Sequence, residues 1–171
     1  EDGRMIDRYF GIHIAGGYWK SGEGPYVVYD EETGYYYLYV TYGFLDATGG
    51  YNMRQFRATE PEGPYLDAAG KNAVLPNDTD NAPYGNKLMS NFLFARELGE
   101  QGMGSGLGYV SPGHNSVYLD PDTNEQFLVF HTRFPGTGEM HQVRIHQMFM
   151  NKNDWPVVAP YRYAGETLDE N

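Results

Sequence analysis

The chain has 171 residues, a formal net charge of −11, no cysteine, and aromatics at 16% with 16 tyrosines among them. That length is enough for one domain with a core; the missing cysteines exclude disulfides and thiolate metal sites. The acidic balance leaves no basic stripe to neutralise phosphates, which argues against nucleic acid and against an anionic membrane surface. No run of 18 apolar residues is present, so no membrane-spanning helix is expected. The chain opens on Glu1-Asp2-Gly3-Arg4 with neither an initiator Met nor a signal peptide, and the expectation is a processed or excised piece of something longer.

In chain order, short apolar or alternating runs predict strands over 26–29, 35–41, 52–58, 116–119, 126–132 and 141–149. Clusters of Asp, Gly, Pro and Asn predict turns at 30–34, 60–63, 120–124 and 135–138. Segment 67–85, with two Pro and two Gly, predicts a long loop, and 99–108, with five Gly, another. No stretch keeps a 3.6-residue apolar period for three turns, although 86–98 is ambiguous. Tyrosine-rich runs suit pleated, half-buried surfaces. Their rings also suit stacking on a sugar while the hydroxyl stays wet, with core packing the plain alternative for most of them.

An internal repeat is legible. Val27-Val28-Tyr29-Asp30-Glu31-Glu32-Thr33-Gly34 matches Val117-Tyr118-Leu119-Asp120-Pro121-Asp122-Thr123-Asn124 at an offset of 90, and Leu38 then matches Leu128. Each copy reads as strand, Asp-x-x-Thr-Gly/Asn turn, strand. Repeated antiparallel hairpins of this kind predict propeller blades or a sandwich. Glu23 precedes the first hairpin and His114 the second, and Glu23 aligns with Gly113. In a propeller the start of each innermost strand lies at the central axis, so the two would converge there.

Glu23 lies in Ser21-Gly22-Glu23-Gly24-Pro25-Tyr26. Two glycines permit close backbone approach, and the proline fixes entry to the strand. A carboxyl held rigidly and partly desolvated there suits a general acid; an exposed turn carboxylate is the alternative. His114, in Ser111-Pro112-Gly113-His114-Asn115-Ser116, reads as a metal ligand or substrate contact, or as a hydrogen-bonded histidine at a strand start. His131, His141 and His146 fall on expected strands, and the spacing of His141 and His146 sends them to opposite faces, which is not a metal pair. No HExxH, EF-hand, phosphate-cradling loop or Gly-x-Ser-x-Gly elbow is present.

Glu23-Gly24-Pro25-Tyr26, followed by Gly34-Tyr35-Tyr36-Tyr37-Leu38-Tyr39-Val40, resembles the general-acid segment of glycoside hydrolase family 43. Ser111-Pro112-Gly113-His114-Asn115-Ser116-Val117 resembles that family's arabinanase motif around an axial histidine. His131-Thr132-Arg133-Phe134, Met148-Phe149 and Trp155-Pro156-Val157-Val158-Ala159 complete the pattern, which runs from about residue 22 to 166. The resemblance implies an all-β fold, a portion of a five-bladed β-propeller, with residues 1–171 forming its C-terminal blades. It implies extracellular endo-hydrolysis of α-1,5-linked L-arabinan with inversion, Glu23 as general acid, and His114 as ligand of a central metal, commonly calcium. Tyr42, Asn91, Phe92 and Arg133 are candidates for lining the substrate cleft, each with a structural alternative.

The chain departs from the family in one respect. An inverting glycosidase needs two carboxyls roughly 6.5–9.5 Å apart, and the family's aspartates would lie upstream of Glu23, where Asp2 and Asp7 do not sit in matching motifs. The chain alone is therefore expected to be inactive, with the N-terminal blades supplied by a second chain or a cleaved fragment. Two rival readings stay open: a family 43 arabinofuranosidase or xylosidase with a blocked pocket, and a noncatalytic carbohydrate-binding propeller subunit.

Overall fold

The computed structural model describes residues 6–7, 11–17, 22–46, 50–76, 79–95 and 107–165, and within these every regular element is a strand. A short hairpin of β1 (Ile6–Asp7) and β2 (Gly11–Ile12) comes first. The first large sheet holds β3 (Glu23–Asp30), β4 (Tyr35–Tyr42), β5 (Asn52–Ala58) and β6 (Asn86–Met89), antiparallel and in that order. The second runs β11 (Pro156–Val158), β10 (Gln142–Met150), β9 (Gln126–Arg133), β8 (Leu107–Leu119), β7 (Phe92–Ala95).

Both sheets are up-and-down meanders, and they follow one template. Val27 pairs with Leu38 and Leu38 with Phe56 in the first sheet; Val117 pairs with Leu128 and Leu128 with His146 in the second. Every one of these partners is displaced by 90 residues, so the repeat read from one hairpin extends over three strands. The turns match as well. The Asp30 carboxylate accepts the Thr33 N–H at 2.9 Å, and Asp120 accepts that of Thr123 at 3.0 Å. Each turn closes on a left-handed residue, Gly34 at φ 72° and Asn124 at φ 60°, the conformation that favours these two residue types. Each first strand is also interrupted by a bulge at the same place, between Glu23 and Tyr26 and between Gly113 and Ser116.

The alternation along β4 explains how the sheets stack. Tyr37 and Tyr39 point to one side and join Met53, Tyr109, Val117, Leu128, Phe130 and Met148 in a core between the two sheets. Leu38, Val40 and Tyr42 point to the other side and pack with Phe56, Tyr65 and Ala73, with Ile14 and Tyr84 at the margin. Strand β4 is buried on both faces, which is why its sequence is a continuous apolar and tyrosine run rather than an alternating one. Polar groups pin the seam: Gln126 donates to the buried Asp30 carboxylate, Gln55 donates to the Pro156 carbonyl at 2.8 Å, and the Tyr37 hydroxyl donates to the Asp154 carbonyl at 2.7 Å. Arg57 lies between the rings of Tyr35 and Trp155, 4.2 and 4.3 Å from their centroids.

Four of the six expected strands lie within longer observed ones, 52–58 coincides with β5, and 141–149 is β10 shifted by one residue. Strand β8 begins well before 116, so the last two residues of the glycine-rich segment 99–108 are strand and the rest lie outside the described residues. Segment 86–98, ambiguous in sequence, contains the two short strands β6 and β7; its last three residues lie outside the description. The described residues of segment 67–85 form a loop, tied down by Asp67, whose carboxylate accepts the N–H groups of Ala69, Lys71 and Gly85 at 2.9 Å each.

The second sheet's far side carries Tyr118, Phe127, Val129, Val143 and Ile145, which line or flank an open cleft of about 320 Å³. In the 90-residue register these positions match Val28, Tyr37, Tyr39, Met53 and Gln55, the first sheet's face against the second.

Candidate active site at the start of the innermost strands

Strand β8 runs beside β3, β4 and β5, which brings the bulged starts of β3 and β8 together. The two starts interlock. Gly24 has φ +51°, and a Cβ there would lie 3.1 Å from both Cα and Cγ of His114. His114, at the equivalent position of the second sheet, has φ 50° itself. Such a backbone is strained for a histidine, and the surrounding pairing over-determines it. Its N–H donates to the Thr41 hydroxyl at 3.0 Å.

One position earlier the relation reverses. Glu23 carries the side chain on the first sheet and Gly113 is bare on the second. A Cβ on Gly113 would lie 2.3 Å from Cε1 of Tyr51. The Tyr51 ring occupies that space, buried to 1% exposure, and its hydroxyl donates to Oε2 of Glu23 at 2.6 Å. Burial first, and then the hydrogen bond to Glu23 and its charge, push the Tyr51 phenol far above its ordinary pKa. It stays protonated and serves as a donor. The Glu23 residue is itself exposed.

Behind Tyr51 lies a row of imidazoles. His131 stacks on Tyr51 at 6.1 Å with 14° between planes, and on His114 at 6.0 Å. His141 meets His131 edge-on at 4.6 Å. Burial, then the neighbouring His141, His114 and Arg133, lowers the His131 pKa against an opposing pull from Glu23. Burial and Arg133 lower that of His141. Thr41 and His131 are register equivalents, as are Tyr51 and His141. The whole cluster is thus one set of four strand-end positions, filled differently by two copies of the template.

Glu23 and His114 are therefore brought to one place. Arg133 is buried beside the cluster and pairs with the Glu139 carboxylate, while its Nε and Nη1 make no hydrogen bond among the described residues. The Asn91 side-chain oxygen accepts the Ser111 N–H at 2.8 Å, bracing a second left-handed residue of β8. Phe92 packs edge-on against Tyr109 at 5.2 Å. Tyr42 lies in the core on the far side of β4, and burial pushes its phenol up to about 12. His146 is fully buried and structural, bridging the Tyr109 hydroxyl at 2.9 Å and the Ala159 carbonyl at 2.8 Å.

Sequence reasoning missed Tyr51, Thr41 and the roles of His131 and His141. The signal was present: applying the offset of 90 to the strand ends beyond the first hairpin pairs Thr41 with His131 and Tyr51 with His141. As for a metal, no group of three or more His, Asp or Glu among the described residues is arranged to hold one. Calcium takes about six to eight oxygen ligands. One imidazole from His114 does not make that site, and the donors among the described residues do not fit calcium unaided.

No protein-family profile matches the chain. Curated relatives do. Over 94% of its length the chain is 53% identical to a Bacillus subtilis protein named extracellular endo-α-(1→5)-L-arabinanase 2, and 45% identical to the extracellular endo-α-(1→5)-L-arabinanase of Thermotoga petrophila. Among solved structures, the Thermotoga petrophila endo-1,5-α-L-arabinanase superposes with a TM-score of 0.81 at 44% identity, covering 95% of this chain and 36% of that one. A Bacillus licheniformis protein described as glycoside hydrolase, family 43 superposes with a TM-score of 0.78 at 45% identity, covering 96% and 37%. The chain is a homologue of the glycoside hydrolase family 43 arabinanases. It spans about a third of the length of the curated relatives it matches, at 35% and 34%. The two sheets are accordingly blades, a portion of the five-bladed β-propeller of that family, as the sequence motifs implied.

The interlock gives a direct expectation. Gly113→Ala forces a methyl group into the Tyr51 ring and costs about 1–3 kcal/mol. Gly50→Ala, whose added methyl meets nothing closer than 3.5 Å, changes stability by about 0.5 kcal/mol or less. Chemical denaturation of the full-length protein measures both; equal effects would show that the close approach at Gly113 is not a packing constraint.

Proposed function

We propose that the protein containing this chain is an extracellular endo-arabinanase that hydrolyses α-1,5-linked L-arabinan by an inverting mechanism, with Glu23 as the general acid. The reading is carried by one observation: Glu23 stands on the interlocked, bulged start of an innermost propeller strand, in a chain 53% identical to a named endo-arabinanase. The names of the relatives support the substrate and the extracellular location. In this reaction Glu23 gives its proton to the departing glycosidic oxygen. Water attacks from the opposite face of the sugar, activated by a carboxylate on blades outside this chain. Inversion requires that carboxylate roughly 6.5–9.5 Å from Glu23. The acidic balance of the chain suits a neutral polysaccharide.

The missing blades follow from the same reading. The apolar far side of the second sheet, with Tyr118 at 52% and Val143 at 66% exposure, matches in register a face that is buried in the first sheet. Another blade of the same propeller is its occupant. Produced alone, the chain therefore self-associates or melts without cooperativity; a monodisperse, cooperatively melting monomer in ultracentrifugation and calorimetry would count against it.

His114 is proposed to lend one imidazole nitrogen to an axial cation whose remaining ligands are water and groups on the other blades. His114→Ala then lowers activity strongly, abolishes cation binding measured by calorimetry and leaves the melting temperature of the chelated protein unchanged. Full activity after that change, or after exhaustive chelation, rules the role out.

Glu23→Gln keeps the shape and removes the proton. Arabinan hydrolysis by the full-length protein is expected to fall by about 10²–10⁴-fold, with substrate binding retained. An aryl arabinoside with a good leaving group needs little protonation and loses much less. Equal losses on both substrates would show that Glu23 is not the acid, and no loss on either that it is a turn residue.

A further inference from the structure

We infer that Tyr51 is a positioning residue for Glu23: its phenol holds the Oε2 atom and keeps the transferable proton on Oε1. The inference rests on the reading of Glu23 as general acid.

A protonated carboxyl has one O–H and one carbonyl oxygen. The Tyr51 hydroxyl donates to Oε2 at 2.6 Å, a short contact of the kind made to a carboxyl. The oxygen receiving that bond is the carbonyl one, so the acid proton resides on Oε1. During the reaction this proton passes to the glycosidic oxygen as the bond from that oxygen to the anomeric carbon breaks, the bonding electrons leave with the oxygen, and Glu23 becomes a carboxylate. The Tyr51 contact then becomes charge-assisted, so it strengthens as charge develops and favours the transition state over the ground state.

The fold is built to make this contact. Tyr51 lies just before β5 with its ring at 1% exposure, although the Glu23 it reaches is exposed. Its ring rests on Gly113, and no residue other than glycine leaves room there, since a Cβ would lie 2.3 Å from the ring. Gly113 is the register equivalent of Glu23 itself. The second blade therefore carries no side chain at the position where the first carries Glu23, and the first blade's Tyr51 fills that space. His131 covers the other part of the ring, stacked at 6.1 Å. A tyrosine needed only for packing would not require its side-chain hydroxyl to end on the carboxylate of Glu23.

The test compares Tyr51→Phe with the unchanged full-length protein on arabinan and on an activated aryl arabinoside. The ring is retained, so the melting temperature stays within a few degrees, and assays run well below it. The expected result is a fall in kcat on arabinan of about 10–100-fold, the scale of a misplaced catalytic group. KM is unchanged and the aryl substrate is nearly unaffected. Added to Glu23→Gln, Tyr51→Phe lowers arabinan activity no further, because groups acting as a unit are non-additive. An unchanged kcat, an equal loss on both substrates, or a further loss on top of Glu23→Gln overturns the inference. Where Glu23→Gln alone keeps its activity on arabinan, the acid assignment itself has failed and Tyr51 falls with it. Where Glu23→Gln loses activity selectively and Tyr51→Phe does not, only the positioning role is lost.

Discussion

The close approach of two innermost strands at their bulged starts is the constraint on which the rest of the site depends. At two successive positions a glycine of one blade makes room for side chains of the other. Gly113 lies bare under the Tyr51 ring and the Thr41 methyl group, and Gly24 lies bare against His114. Strand β8 lies against β3, β4 and β5 of the neighbouring blade. Left-handed residues at Ser111, His114 and Gly24 let both backbones turn there. Glycine is demanded at Gly24 by a neighbour and by φ together, at Gly113 by neighbours alone, and at Gly34 by φ alone.

The proposed acid consequently draws its support from both blades. Its backbone pairs with Thr41 of its own sheet. Its carboxyl is held by Tyr51, which also belongs to its own sheet, yet the floor under Tyr51 is Gly113 and the ring against it is His131, both from the second. Any relative slip of the blades would therefore move the carboxyl. The seam resists slip by directional bonds at its outer parts: Gln126 to Asp30, Gln55 to Pro156, and Tyr37 to Asp154. Asp30 is buried and also closes its own turn, so one carboxylate ties a hairpin to the seam. A site carried on packed strands with such support holds its geometry more closely than one carried on loops.

Much of this was legible in the residues, and the divide follows a physical line. Strands with strong alternation or a dense apolar run, such as β4 and β10, declare themselves because burial fixes their pattern. Their turns do so because Asp-x-x-Thr-Gly/Asn is a local chemistry of hydrogen bonds and left-handed backbone. Strands β6, β7 and the first half of β8 are hidden. Each is short or glycine-bearing, and what keeps it a strand is a partner distant in sequence, as when Leu107 pairs with Ala95. Tyr51 is hidden for a related reason. Nothing in its neighbourhood, Gly50-Tyr51-Asn52, distinguishes a buried donor from any other tyrosine; its partner is 28 residues away and its floor is on another blade.

The repeat is what joins the two kinds of information. Three strands and the turn between the first two share one register at an offset of 90, so the backbone supplies the same four strand-end positions twice. The first copy fills them with Glu23, Gly24, Thr41 and Tyr51, and the second with Gly113, His114, His131 and His141. The first set combines a carboxyl with two hydroxyl donors. The second is bare at the acid's position and rich in imidazole. Set in a row beside Arg133, the His131 and His141 rings have pKa values pulled downward, which favours their neutral forms, with His131 the ring that lies against Tyr51. The template varies its side chains on a shared strand register, so that the two blades carry different chemistry at equivalent positions.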